Sequence, residues 1–130
     1  MLVVTLVMAT LQFAFGEIGS STANYPTTVE SSVAGYVAAL LAASPALLLH
    51  AMWGILLLLA AIGTTAMSLR RHKRSLTTSS LLGLVSSLIA VLGGYLWVSS
   101  GFSNAGGIIM MVNGGIGLYA FYFIALYFTK

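Results

Sequence analysis

One histidine, His50, stands inside a long apolar stretch and is the residue of this chain best suited to chemistry. An imidazole titrates near neutral pH and ligates metals, and an ionisable group inside a membrane span is costly enough to suggest a function. If a helix opens near Ala46, a rise of about 1.5 Å per residue puts His50 roughly one turn below its outer end. A helix opening near Gly106 brings Met110 to the same depth, with Met111 just below. A helix leaving near Ser99 adds Tyr95 and Trp97, and Glu17 caps the first apolar stretch on the same side. Glu17, His50, Tyr95, Met110 and Asn113 are therefore expected to share one layer near the outer surface.

Three uses of that layer stand open. His50 with Met110 or Met111 would supply the axial pair of a b-type haem, since His/Met ligation of haem iron is known and helix bundles hold cofactors between facing helices. The small residues Ala46 and Gly54 flank His50 on its own face, although the chain's other histidine, His72, falls in a basic loop and is expected to be solvated. Alternatively, His50 with Glu17 and Tyr95 would contact a quinone head group or relay protons, or His50 with the paired methionines would hold Cu(I). In the third reading His50 turns toward the interface and hydrogen-bonds a neighbouring carbonyl or a partner subunit, while the methionines serve as adaptable packing. Asn113 reads as an interhelical hydrogen bond. No catalytic residue and no further metal site is expected, because nucleophile–base pairs, carboxylate pairs, phosphate loops and zinc motifs are all missing from the sequence. A transporter is equally unsupported, without an inverted repeat or an intramembrane ion pair.

The elements that must position these residues follow from composition. Of the 130 residues 59% are hydrophobic and 5% are charged, whereas about a quarter are charged in a soluble domain. Such a surface would aggregate in water, so the expected solvent is lipid. The lack of cysteine removes disulfides, thiolate metal sites, iron–sulfur clusters and covalent c-type haem. The net charge of +3 comes mostly from Arg70, Arg71, Lys73 and Arg74. It reads as a topology signal and as a contact for anionic lipid heads, not as a nucleic-acid footprint.

About 20 apolar residues cross the hydrocarbon layer as a helix, and the segments 2–18, 45–69, 76–99 and 106–128 are of that order. Membrane strands alternate their faces, and Leu47-Leu48-Leu49 and Ile55-Leu56-Leu57-Leu58-Leu59 do not. The expected fold is all-α: an integral membrane up-and-down four-helix bundle in a single transmembrane domain, 1–130. The connection 19–44 bends at Asn24-Tyr25-Pro26, which lacks the Ser or Thr of a glycosylation sequon. A short interfacial helix is expected over 32–43, with Pro45 in the first turn of the second span; one long helix kinked at Pro45 is the competing arrangement. Small residues should mark the contact faces: Gly83, Ser87, Ala90 and Gly94 on the third span, Gly106, Met110, Asn113, Gly117 and Ala120 on the fourth, and Ala46, His50, Gly54, Ala61 and Thr65 on the second. Tyr119, Tyr122, Phe123, Tyr127 and Phe128 read as an interfacial belt and lipid-facing surface.

Basic residues gather on the cytoplasmic side of short loops. The expected topology in the cell membrane therefore has both termini cytoplasmic, with the fourth span ending inside at Lys130. The first segment has no basic leader, and Ala14-Phe15-Gly16 is a poor cleavage motif, so an uncleaved helix is expected there rather than a signal peptide.

At His50-Ala51-Met52-Trp53-Gly54, the basic turn, Gly94-Tyr95-Leu96-Trp97, Gly101-Phe102 and Met110, the chain resembles small prokaryotic four-span membrane proteins of unassigned function. The resemblance spans about 47–120 and implies a histidine at the head of the second span and a methionine at the head of the fourth. More loosely, the chain is similar to small accessory subunits of respiratory and other energy-converting membrane complexes. That likeness implies a setting among other membrane subunits, with no activity of its own. The expected function is such a subunit, structural or cofactor-holding. A free-standing b-type cytochrome or quinone-reactive protein and a self-oligomerising structural protein are the alternatives.

Overall fold

A computed structural model describes residues 1–128 of the chain. Lys130, the expected inner end of the fourth span, lies outside the described residues. Helix α1 covers Leu2–Thr22, α2 Val33–Ala43, α3 Pro45–Arg70 and α4 Arg74–Ser99. The last span runs from α5 (Asn104–Met111) through a π-helical segment (Val112–Gly117) into α6 (Leu118–Tyr127). No strand occurs among the described residues. Four helices are long and apolar enough to cross a membrane, and α2 is a shorter apolar helix. The chain is a multi-pass α-helical membrane protein, and its spans pack as a bundle.

Local chemistry sets the helix ends. Ser32 caps α2, its hydroxyl accepting from Gly35 N–H at 2.9 Å. Ser44 then caps α3 ahead of Pro45, so α2 and α3 are separate helices rather than one kinked rod. At the far end of α4 the Phe102 N–H reaches Trp97 C=O at 2.7 Å and the Gly101 N–H reaches Val98 C=O at 3.1 Å. This is a Schellman closure, with Gly101 in the left-handed region at φ 68°. Phe102, at φ 63°, is strained there. Its buried ring, 5.0 Å from Trp97 and 4.9 Å from Tyr25, holds it in place. His72, φ 53°, turns the chain between α3 and α4, and its side chain is exposed as expected.

Neighbouring spans run antiparallel: α1 packs on α3, α3 on α4, α4 on α5 and α6, and α6 closes the ring on α1. The middle of the bundle is a core of Leu6, Ala9, Leu57, Ala61, Leu118 and Tyr122. A second core of Ala39, Ala43, Leu47, Val98 and Phe102 seals the α2 end. Between 17% and 28% of the most apolar stretch of each span is buried, the highest share belonging to α4, which makes α4 the central helix. The rest of each span is an apolar outer surface, as a lipid-facing bundle requires.

The small-residue stripes carry the α4 contact with the last span. A Cβ on Gly106 would sit 2.5 Å from Trp97 N and 2.8 Å from Gly93 O, so only glycine permits this approach. Gly117 fits against Ser86 and Gly114 against Ala90, whereas Ala120 faces outward. Tyr122 departs from the expected lipid-facing belt: it is 0% exposed, with its ring laid on Gly83. The glycine at 83 leaves a slot that an aromatic ring fills, and belt composition alone does not reveal such a slot.

Candidate functional site

His50 projects from the second turn of α3 onto α1. Its Nδ1 lies 2.8 Å from the backbone carbonyl of Gln12. A carbonyl only accepts, so Nδ1 carries the hydrogen and donates it. Nε2 is then the lone-pair nitrogen, and the side-chain amide N–H of Gln12, 3.2 Å away, donates to it. One residue thus satisfies both nitrogens of the ring. Turning the amide over would set Gln12 Oε1 against that lone pair, which fixes its orientation. Oε1 is left buried without a partner.

Glycines make this pairing possible. A Cβ on Gly16 would lie 2.9 Å from His50 Cε1, and one on Gly54 would lie 3.0 Å from Gln12 Nε2. Each helix therefore has a glycine where the other's polar side chain enters. The pair belongs to a longer seam that descends antiparallel along α1 and α3. Thr22 meets Ser44 at 3.2 Å, Gly19 receives Leu47, Gln12 meets His50, Trp53 Nε1 donates to Met8 C=O at 3.0 Å, and Thr5 meets Thr64 at 2.9 Å. Nearly every rung is a hydrogen bond between helices.

The other expected site residues sit on different contacts. Tyr95 is exposed on α4, where its hydroxyl accepts from Tyr36 of α2 at 3.2 Å. That bond, then burial and the neighbouring phenol, raises the Tyr36 pKa above the ordinary phenol value. Met110 lies over Gly94, its Sδ 3.2 Å from where a Cβ would stand. Met111 is exposed, and Asn113 Nδ2 donates to Ile109 C=O at 3.0 Å within its own helix. Glu17 is exposed beyond Gly16 on α1. His50 is thus engaged at the α1–α3 seam, Met110 at the α4–α5 contact and Tyr95 at the α2–α4 contact. Among the described residues no group of three or more His, Cys, Asp or Glu is placed to hold a metal ion.

Gln12 is the functional-site neighbour that sequence reading missed. The signal was present, since Gln12 is the one amide side chain within 2–18. The hydroxyls of Thr5, Thr64 and Ser80 at the opposite end of the bundle were missed as well, because Ser and Thr are unremarkable in membrane helices, and Thr65 was read only as part of a small-residue contact face. Thr65 donates both to Ala61 C=O at 2.9 Å and across to Ser80 C=O at 3.1 Å. Comparison with protein families, curated proteins and solved structures finds no match. The class of protein therefore rests on the fold and on this network of interhelical hydrogen bonds.

Proposed function

We propose that this chain is a structural subunit of a larger membrane assembly, oriented with the Arg70–Arg74 turn and both termini on the cytoplasmic side. The observation that carries this reading is the engagement of the polar side chains within the spans. His50, Gln12, Trp53, Thr5, Thr64, Thr65 and Tyr119 are all bonded between helices. The apolar outer faces of the spans are left for lipid and other subunits. Little of the chain lies outside the spans with which to act on a soluble partner. The looser resemblance to small, nearly charge-free accessory subunits favours an energy-converting complex as the setting.

Native mass measurement in mild detergent tests this directly. The expected result is an assembly in which the 13.6 kDa chain travels with other polypeptides. A homo-oligomer would support self-assembly instead, and a lone chain would contradict the proposal. The cytochrome alternative needs His50 Nε2 to exchange the Gln12 amide for iron. An oxidised and dithionite-reduced spectrum with a Soret band that is lost in His50→Ala would favour it.

A further inference from the structure

The basic end of the bundle holds a cavity of mixed polar and apolar lining that a scaffold role does not use. Its volume is about 250 Å³, several times the roughly 30 Å³ that one water occupies in the liquid. Thr64, Ser68, Ser80 and Arg71 line its polar side, and Met67 and Leu76 contribute to the apolar side.

The hydroxyls in this wall are not equivalent. Ser68 donates to Thr65 C=O at 2.7 Å. Thr5 donates to Met1 C=O at 3.1 Å, so the Thr64 hydroxyl hydrogen goes to Thr5 Oγ1 at 2.9 Å. Thr64 and Ser68 therefore offer the cavity lone pairs only. Ser80 is 0% exposed, and its Oγ has no partner in the protein. A buried hydroxyl without a partner is costly, and a ligand acceptor would remove that cost.

Charge points the same way. Arg71 stands exposed among the lining residues, beside Arg70, Lys73 and Arg74. The chain's two acidic residues are Glu17, toward the far end of α1, and Glu30, in the connection ahead of α2. Neither can neutralise this cluster. A guanidinium, a buried hydroxyl donor and an adjoining apolar surface suit a phosphate carried on hydrocarbon.

We propose that this cavity binds the phosphate of an anionic phospholipid. Arg71 supplies charge-assisted hydrogen bonds and Ser80 the buried donor, while the acyl chains lie along the exposed Met67 and Val3. The test titrates the full chain in neutral detergent with phosphatidylglycerol, phosphatidylcholine or inorganic phosphate, following retained lipid mass and Tm. Phosphatidylglycerol should be retained and should raise Tm, and the other two should do neither. Arg71→Gln, on an exposed turn, should weaken phosphatidylglycerol about fivefold, the value of one cation near a lipid surface. Ser80→Ala should raise the lipid-free Tm and shrink the increment that phosphatidylglycerol adds. An increment unchanged in both variants would overturn the site, and one reproduced by inorganic phosphate alone would overturn the lipid.

Discussion

His50 and Gln12 form a closed pair, so removing either partner strands the other in a low-dielectric interior. Gln12→Leu leaves the imidazole Nε2 without its donor, while Nδ1 keeps the backbone carbonyl of residue 12, and His50→Leu leaves the Gln12 amide N–H without its acceptor. Each is expected to cost about 1–3 kcal/mol, the usual penalty for an orphaned buried polar group. The double replacement should recover much of that loss, because it removes both polar partners together, and a double-mutant cycle of unfolding in detergent measures the coupling. Additive losses would show that the two side chains do not depend on one another. Tyr122 supplies the contrasting case. Its ring fills the Gly83 slot while its buried hydroxyl has no partner. Tyr122→Phe should therefore be neutral or stabilising, whereas Tyr122→Ala should cost about 3–5 kcal/mol through the cavity it leaves. Thermal unfolding of the two variants separates ring from hydroxyl.

At the scale of elements, the contact between α4 and the last span depends on backbone approach rather than side-chain interdigitation. Gly106→Ala forces its new methyl onto Trp97 N and Gly93 O, and backbone cannot swing aside as a flexible side chain can. A loss of about 1–3 kcal/mol is expected, read as a lower unfolding midpoint. A neutral Gly106→Ala would mean that α4 and α5 are farther apart than described. The π-helical turn at Val112–Gly117 also belongs to this scale. It is rich in glycine, with Gly114 facing Ala90 of α4 and Gly115 facing Phe13 of α1. It joins α5, which packs on α4, to α6, which packs on both α4 and α1. Helix existence was legible in the sequence because apolar length alone encodes it, and Ser44-Pro45 marked the break between α2 and α3. The π turn was not legible, since Asn113-Gly114-Gly115 reads equally well as a weak α-helix. The stripe Gly83, Ser87, Ala90 and Gly94 was legible as a contact face. Which side chain fills each gap was not, because that depends on the opposite helix.

For the whole molecule, the layer expected to join Glu17, His50, Tyr95, Met110 and Asn113 was drawn from depth alone. Depth is readable from helix starts, but rotation about each axis is not, and rotation sends His50 to Gln12, Tyr95 to Tyr36 and Met110 to Gly94. The resulting bundle keeps its polar side chains largely on interhelical seams and an apolar surface outside, which suits a subunit embedded among lipids and other chains. The absence of cysteine makes single-cysteine labelling on intact cells the most direct test of that arrangement. With a membrane-impermeant maleimide, Thr28→Cys in the long connection should label from outside, and His72→Cys in the basic turn should label only after permeabilisation. Leu59→Cys, on the exposed apolar face of α3, should resist the reagent in both conditions. Labelling of Leu59→Cys in intact membranes, or of His72→Cys from outside, would contradict a four-span bundle with its basic turn in the cytoplasm.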